Sequence, residues 1–270
     1  MPNPIELFQA GKLADAVQVA TDGVRNNPVD VAARSMLCEM LCFSGDLERA
    51  DKQLEAAMQI DADSAVGVSL IRHLIRSETS RREVFEQGRV PEFLTQPTAA
   101  QQLRLKALVA LIAKDGNAVA QYIAEAEELE NEVSGKCDGK PFSGMRDLDD
   151  LLGPNVEIFT ATGQYYWLAA EQILSLEFSA IEYLTNMLWR SAQVITVGDV
   201  TGRVHVPALY HDSHSSSDDR IRIGRATDWV QENEDGPAFG RGQREWLLGE
   251  DVVAITQVTE ITFDKQDDNV

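Results

Sequence analysis

The feature that most limits the fold is a pair of similar segments near the amino terminus. Gly11–Ala16 resembles Gly45–Ala50, and the two glycines are 45 − 11 = 34 residues apart. This spacing is the period of the tetratricopeptide repeat, a unit of two antiparallel helices. Glycine suits the tight turn within such a unit, and an alanine lets the second helix approach the first closely. The sequence therefore predicts an all-α superhelix at the start of the chain.

Helix breakers and apolar spacing extend this prediction to about residue 133. The segments that interrupt the helical pattern are Asn27-Pro28, Asp61–Asp63, Pro91, Pro97 and Asp115–Asn117. A helix is predicted from Ala65, Ser80–Gln87 is compatible with another, and later helices are predicted over Thr98–Ala113 and Ala118–Glu132. This arrangement gives three helical hairpins, and two of them have recognisable repeat character.

Tetratricopeptide arrays curve, and the first helix of each pair lines a concave groove. The same positions in this chain predict a partner-binding groove, although some of these residues would face solvent if the array is short. The predicted groove residues are Ser35, Glu39, Cys42, Phe43, Ser69, His73 and Arg76.

The pattern changes after residue 133, where Ser134–Pro141 is rich in turn formers and is predicted to be a linker or surface loop. The predicted domains are therefore a tetratricopeptide-like domain at residues 1–133 and a mixed α+β domain with a small curved sheet at residues 134–270. The predicted strands are Val156–Thr160, Gln164–Leu168, Gln193–Val197, Arg203–Pro207 and Val252–Phe263. The predicted short helices are Leu148–Leu152, Ala170–Leu174 and Ile181–Leu184.

Charge and composition narrow the class of partner. The formal net charge of −20 repels phosphate backbones and attracts basic peptides, although acidity also serves solubility alone. The three cysteines, Cys38, Cys42 and Cys137, are too few for a disulfide framework and are predicted to pack as small apolar side chains. We expect a cytoplasmic protein, since neither a signal peptide nor a long apolar span is visible.

Two clusters resemble catalytic or metal sites. His205, His211 and His214 either bind a metal or belong to a solvated, serine-rich loop, and the second interpretation is favoured because nothing makes them converge. Asp147 and its acidic neighbours either act as paired carboxylates or cap a short helix, and capping is favoured. The chain contains neither a phosphate-binding loop nor a nucleophile elbow, so no enzyme activity, metal or cofactor is predicted.

Aromatic and arginine side chains in the second half allow two interpretations. Tyr165–Trp167, Trp189, Trp229 and Trp246 are typical of core positions, with a peptide-binding pocket as the alternative. The charged residues that accompany them, Arg190, Arg225, Asp228 and Arg244, would form structural ion pairs or recognise an acidic partner group.

An ordered series of motifs in the second half resembles the ImpE/TagJ (SciE-type) family. The motifs are Arg146–Pro154, Gly163–Trp167, Ser175–Phe178, Met187–Arg190, Val206–Tyr210, Gly224–Trp229, Gly242–Arg244 and Leu248–Glu250. The residues that carry the resemblance are Arg146, Asp147, Asp149, Asp150, Tyr166, Trp167, Trp189, Tyr210, Arg225, Asp228, Trp229 and Arg244. The chain departs from the pattern between Gln231 and Gly240, where Glu232, Glu234 and Asp235 form an acidic insertion.

The resemblance implies a non-enzymatic accessory protein of the bacterial type VI secretion system. It further implies binding to the amino-terminal helix of the small contractile-sheath subunit, TssB or VipA, and modulation of sheath disassembly by the unfoldase ClpV. A helical-repeat groove would suit capture of an amphipathic helix. The alternatives are a general tetratricopeptide scaffold for another secretion component and a metal-dependent hydrolase in the second domain. Neither nucleic acid binding nor membrane insertion is expected.

Overall fold

The computed structural model describes residues 3–61, 65–231 and 236–265, and at positions 65 and 66 it describes only the backbone. Of the predicted breaker Asp61–Asp63, only Asp61 is therefore described. The acidic residues Glu232, Glu234 and Asp235 also lie outside the described residues.

Seven α-helices occupy most of the described residues in the first half of the chain. They are α1 Pro4–Gln9, α2 Leu13–Asn26, α3 Val31–Ser44, α4 Leu47–Ile60, α5 Ala65–Gln87, α6 Ala99–Ile112 and α7 Gly116–Glu127. Gly11 and Gly45 have φ angles of +75° and +82°, and they form the turns between α1 and α2 and between α3 and α4. The 34-residue spacing thus marks the repeat turn that the sequence predicts.

The third helical unit differs from the first two. Helix α5 is continuous over 23 residues and includes Ser80–Gln87. Neither glycine nor proline interrupts it between Val68 and Gln87, and it ends at Gly88, which has a φ angle of +73°. The hairpin of α6 and α7 begins at Thr98, whose side chain caps α6 in a capping box with Gln101.

The described residues of the second half form a short α-helix, α8 Asp219–Arg222, and thirteen strands. The strands are β1 Ser134–Cys137, β2 Lys140–Ser143, β3 Met145–Asp147, β4 Asn155–Thr160, β5 Tyr165–Ala169, β6 Ile173–Phe178, β7 Trp189–Thr196, β8 Thr201–Pro207, β9 Thr227–Gln231, β10 Ala238–Gly242, β11 Glu245–Leu248, β12 Asp251–Ala254 and β13 Glu260–Phe263. Eight of them form a curved, unclosed sheet in the order β2-β1-β13-β6-β7-β8-β4-β5. Smaller sheets pair β9 with β10 and join β11 to β12 and β3. The α+β fold class is confirmed.

The prediction of a linker over Ser134–Pro141 is wrong. These residues belong to an antiparallel hairpin of β1 and β2 at the edge of the large sheet. Asp138 and Gly139, with φ angles of +48° and +80°, form its two-residue turn. Positive φ at both central positions matches the right-handed twist of the strands, so the turn formers here close a hairpin.

Several other element predictions for the second half are also corrected. Leu148–Leu152 forms turns, and Val252–Phe263 is divided into β12 and β13 by a 3₁₀ helix at Ile255–Gln257. Ala170–Leu174 starts as a 3₁₀ helix and continues into β6, while the one-turn helix predicted at Ile181–Leu184 lies further on, at Leu184–Met187. In the case of β6, pairing with β7 and β13 overrides a short apolar spacing that is ambiguous between helix and strand.

The large sheet packs against apolar material on both faces. Ala192 and Val194 of β7 and Val204 of β8 contribute to a core that is formed within the second half. Alternate residues point to the opposite face. There, side chains such as Phe159 and Trp167 join one continuous core with the helices. The helical and sheet regions therefore share buried surface, and the division at residue 133 remains a prediction.

Helix α8 also contacts the amino-terminal helices. The carboxylate of Asp219 accepts hydrogen bonds from the backbone amides of Leu13 and Ala14 at 2.7 and 3.3 Å. Arg225, just beyond α8, donates to the carbonyl oxygen of Gln9. Since the first amides of a helix lack partners within the helix, Asp219 completes the start of α2 from the other half of the chain.

Candidate functional site

An open groove of about 680 Å³ lies between the helices and the large sheet. One wall consists of α3, α4 and α5, and the other is formed by β7, β8 and the segment 179–187. The apolar floor includes Leu54, Val68, Ile71, Leu74 and Trp189. Large concave surfaces with an apolar floor and few polar groups are the usual form of binding sites.

The rim of the groove is shaped by a segment that the sequence analysis did not select. Tyr183 is 66% exposed, and together with Asn186 it lines the groove beside Glu182. The short 3₁₀ helix there is held because Asn186 accepts hydrogen bonds from the backbone amides of Glu182 and Tyr183 at 3.2 and 3.0 Å. The available sequence signal was a single tyrosine next to Glu182, within the segment Ile181–Leu184 that was predicted as a short helix without a functional role.

Two of the predicted groove residues lie in this groove. Ser35 and Glu39 extend from α3 into it. Burial raises the pKa of Glu39 to about 6. The hydroxyl of Ser35 donates a hydrogen bond to the carbonyl oxygen of Val31 at 3.0 Å and is therefore satisfied within α3. Glu39 is the charged side chain that the helices contribute to the groove lining.

The structure places the other predicted groove residues elsewhere. Cys42 and Phe43 are buried, and the ring of Phe43 is in edge contact with Phe8 at a centroid distance of 4.7 Å. Helix α1 covers this part of α3 through the contact of Phe8 with Phe43. The prediction of Phe43 as a groove residue is therefore corrected to a core position.

Ser69, His73 and Arg76 share a different face of α5. Ser69 and Arg76 are exposed, and Nδ1 of His73 lies 2.7 Å from the carbonyl oxygen of Ala161 in the turn between β4 and β5. These residues do not line the groove of α3 and α5. Helix α5 instead packs against strands β4 and β5, so this face of the helix points toward the second half of the chain.

Behind the groove, a buried ionic network joins α5 to the sheet. Arg81 donates two hydrogen bonds to the carboxylate of Glu157, at 2.7 and 2.9 Å. Arg244 binds the same carboxylate, and its guanidinium also lies 3.6 Å from a carboxylate oxygen of Asp147. Tyr165 donates its hydroxyl proton to Glu157. Glu157, Asp147 and Arg244 are fully buried, so this network connects elements rather than meeting a ligand.

The charge states of the network follow from its geometry. Burial alone would raise the pKa of Glu157, but Arg244 and Arg81 hold it at about 2. Burial raises the pKa of Asp147 to about 6, against the opposing effect of Arg244. Burial and the nearby charge of Asp147 raise the pKa of Asp149 to about 7. The network therefore contains one firmly ionised carboxylate between two arginines.

The acidic motif near residue 147 holds turns and a strand in place. Asp147 accepts from the amide of Asp149 at 2.9 Å, a local turn contact. The carboxylates of Asp149 and Asp150 accept from the amides of Gly240 and Ala238 in β10 at 2.9 and 2.7 Å. The prediction of helix capping is therefore wrong, because these carboxylates satisfy turn and strand amides.

The remaining motif residues have mainly structural contacts. Trp189 lines the groove and donates its indole N–H to Glu78 at 3.2 Å, while Trp167 donates to the hydroxyl of Tyr165 within the core. The ring of Trp229 packs against Tyr210 at 5.6 Å.

Four further motif residues lie closer to the surface. Arg146 pairs with Asp150, and Tyr166 packs against the core of the second half. Asp228 is exposed on β9, and the exposed Arg225 makes the contact with α1 described above.

The interpretation of the three histidines as a solvated loop is also corrected. The ring of His211 stacks on Phe85 at 4.5 Å, and the ring of His214 covers Gly45. His205 is 3% exposed and lines the groove, away from the other two. Across residues 3–61, 65–231 and 236–265, no group of three His, Cys, Asp or Glu side chains is placed to hold a metal ion. Within the same ranges, every helix is too short or too polar to cross a membrane.

Comparison with known proteins gives one matching family model. Residues 139–262 match the model described as ImpE protein. A curated protein of Pseudomonas aeruginosa, the type VI secretion system accessory component TagJ, is 29% identical over 262 residues, which is 97% of this chain and 91% of that protein.

The same architecture occurs in a solved structure. The crystal structure of a Vibrio parahaemolyticus protein matches with a TM-score of 0.91 and 27% sequence identity, and the match covers 98% of each chain. The helical half and the sheet half are thus arranged alike in both proteins.

Proposed function

Since the chain belongs to the ImpE family, with the family's domain at residues 139–262, we propose that it is a non-enzymatic accessory protein of a bacterial type VI secretion system. The similarity to the Pseudomonas aeruginosa accessory component over nearly the whole chain supports this role. Such a protein would act in the cytoplasm through protein partners.

More specifically, the proposed activity is capture of the amino-terminal helix of the small sheath subunit, TssB or VipA, with an effect on sheath disassembly by ClpV. The observation that supports it is the groove between α3, α5 and β7, with its apolar floor. An amphipathic helix binds a groove of this kind by placing its apolar face on the floor. The acidic surface of the chain would favour a basic partner.

Titration with a peptide of that sheath helix tests the proposal. Trp189 lines the groove, so its fluorescence should change as the peptide binds. The variant Ile71→Arg, on the groove floor, is expected to weaken binding by at least about tenfold, or about 1.4 kcal/mol. The variant Val109→Arg, on the exposed face of α6, is the control and should bind like the wild type. Absence of binding at high micromolar peptide would exclude helix capture, and another secretion component would then be the expected partner.

A further inference from the structure

Glu39 is a carboxylate without a partner among the described residues, in a groove wall whose other lining side chains are uncharged. Within the described part of the chain it forms neither a hydrogen bond nor an ion pair. Burial is the cause of its raised pKa, with no nearby cation to lower it. A partly buried acid in this condition gains stability when a positive charge reaches it.

Arg203 lines the opposite wall, but no side chain of that wall pairs with Glu39 within the described part of the chain. His205 lies there on β8 with 3% of its surface exposed, and its Nδ1 has no hydrogen-bond partner among the described residues. Burial, with a smaller effect of Arg203, lowers the pKa of His205 to about 4, so the ring is neutral at pH 7. Glu39 and His205 are thus partly or fully buried polar groups of the groove whose bonding capacity the described residues leave unused.

We propose that the groove selects an amphipathic helix that carries one Lys or Arg in the middle of its apolar face, with Glu39 as the residue that reads the charge. The choice of a helix as occupant rests on the function proposed above. Apolar side chains of the helix would contact the floor at Leu54, Val68 and Leu74. A purely apolar helix would remove Glu39 from water without giving it a partner, and this desolvation would weaken binding. The groove would therefore prefer a helix with the Lys or Arg over one without it.

Charge favours such a partner over a second copy of this chain. Each copy has a formal net charge of −20, so two copies repel one another, whereas a basic helix is attracted. Arg203 on the groove wall would also repel the added cation, which limits its favourable position to the α3 side where Glu39 lies.

A double-mutant cycle tests this assignment. The probes are two synthetic amphipathic peptides of Leu, Ala and Gln, one with a single Lys at the centre of the Leu face and one with Met in its place. The wild type is expected to bind the Lys peptide at least about tenfold more tightly than the Met peptide, and Glu39→Gln should reduce that ratio to about threefold or less. Glu48→Gln, the same change at an exposed position of α4, is the control and should keep the wild-type ratio.

Each outcome bears on one proposal at a time. Equal ratios in the wild type and Glu39→Gln would overturn the role of Glu39, even if the sheath peptide binds. Preference for Lys without binding of the sheath peptide would support the role of Glu39 and reject the sheath helix as the partner. A stable dimer in sedimentation that blocks both peptides would identify a second copy as the occupant and overturn the inference.

Discussion

Glu157 is the residue whose charge most constrains its surroundings. It is fully buried and is contacted by the guanidinium groups of Arg81 and Arg244. The variant Glu157→Gln would remove the carboxylate that both buried guanidinium groups share and leave them only the longer contacts to Glu78 and Asp147. We therefore expect the free energy of unfolding to fall by about 3–5 kcal/mol in urea denaturation. Glu48→Gln, which removes an exposed pair with Lys52, should change stability little. Similar losses in the two variants would show that the buried network is not ionised.

A buried histidine should give the protein a pH dependence of its own. Burial, assisted by Arg81, lowers the pKa of His211 from 6.5 to about 3. Below pH 6.5 the unfolded chain therefore binds a proton that the folded chain excludes, and this group's stabilising contribution is lost as the pH falls. His211→Gln lacks that proton. As the pH falls from about 6 to about 4, the wild type should lose stability that His211→Gln keeps. The free energy of unfolding of the variant minus that of the wild type should therefore increase by about 1.4 kcal/mol for each pH unit of acidification. Urea denaturation across this range is the measurement, and parallel curves would contradict it.

At the scale of single residues, the sequence indicates which residues are important better than it predicts their contacts. Asp147, Trp167 and Arg244 were selected by their motifs, but the motifs say nothing of Arg81, which lies 76 residues before Glu157 in the chain. Pairing over such a distance depends on the packing of α5 against β4. Phe43 was misplaced for a similar reason, because only the position of α1 decides whether that face of α3 is open.

Among the elements, the turn between α3 and α4 depends on the absence of a side chain. Gly45 has a φ angle of +82°, and a Cβ atom there would lie 2.2 Å from the ring of His214. Gly45→Ala should therefore destabilise the protein by about 1–3 kcal/mol.

The matched control for that turn is Gly23 in α2. It has a helical backbone and no atom within 4 Å of the added Cβ, so Gly23→Ala should stabilise by about 0.5–1 kcal/mol. Thermal unfolding of both variants would show shifts of opposite sign. A shift in the same direction would contradict the argument from backbone geometry.

The elements were predictable where local pattern and tertiary environment agree. The helices before residue 128 follow from their apolar spacing and the glycine turns, although the last one starts at Gly116 and ends at Glu127 instead of spanning the predicted Ala118–Glu132. The hairpin at Ser134–Ser143 was hidden because Asp138-Gly139 is equally typical of a loop. Strand β6 was hidden because the apolar positions of Ala170–Leu174 also fit a helical face, and pairing with β7 and β13 decided the outcome.

Across the whole molecule, the two halves should depend on each other for stability. Phe85 of α5 packs near Trp167 of β5 at a ring distance of 6.3 Å, within a core that both halves share. A fragment of residues 1–133 would expose this apolar face. We expect it to aggregate or to unfold without a cooperative transition in circular dichroism, whereas the full chain should unfold cooperatively. A fragment that melts cooperatively near the temperature of the full chain would contradict this expectation.

The contact between Asp219 and the start of α2 has a consequence for synthesis on the ribosome. The capping carboxylate lies 206 residues after the amide of Leu13. At about 5–20 residues per second, the first helix pair would emerge about 10–40 s before the side chain that caps it. During that interval the nascent repeat displays an unfinished helix end and an uncovered apolar face, so a chaperone would have most effect before α8 has been translated.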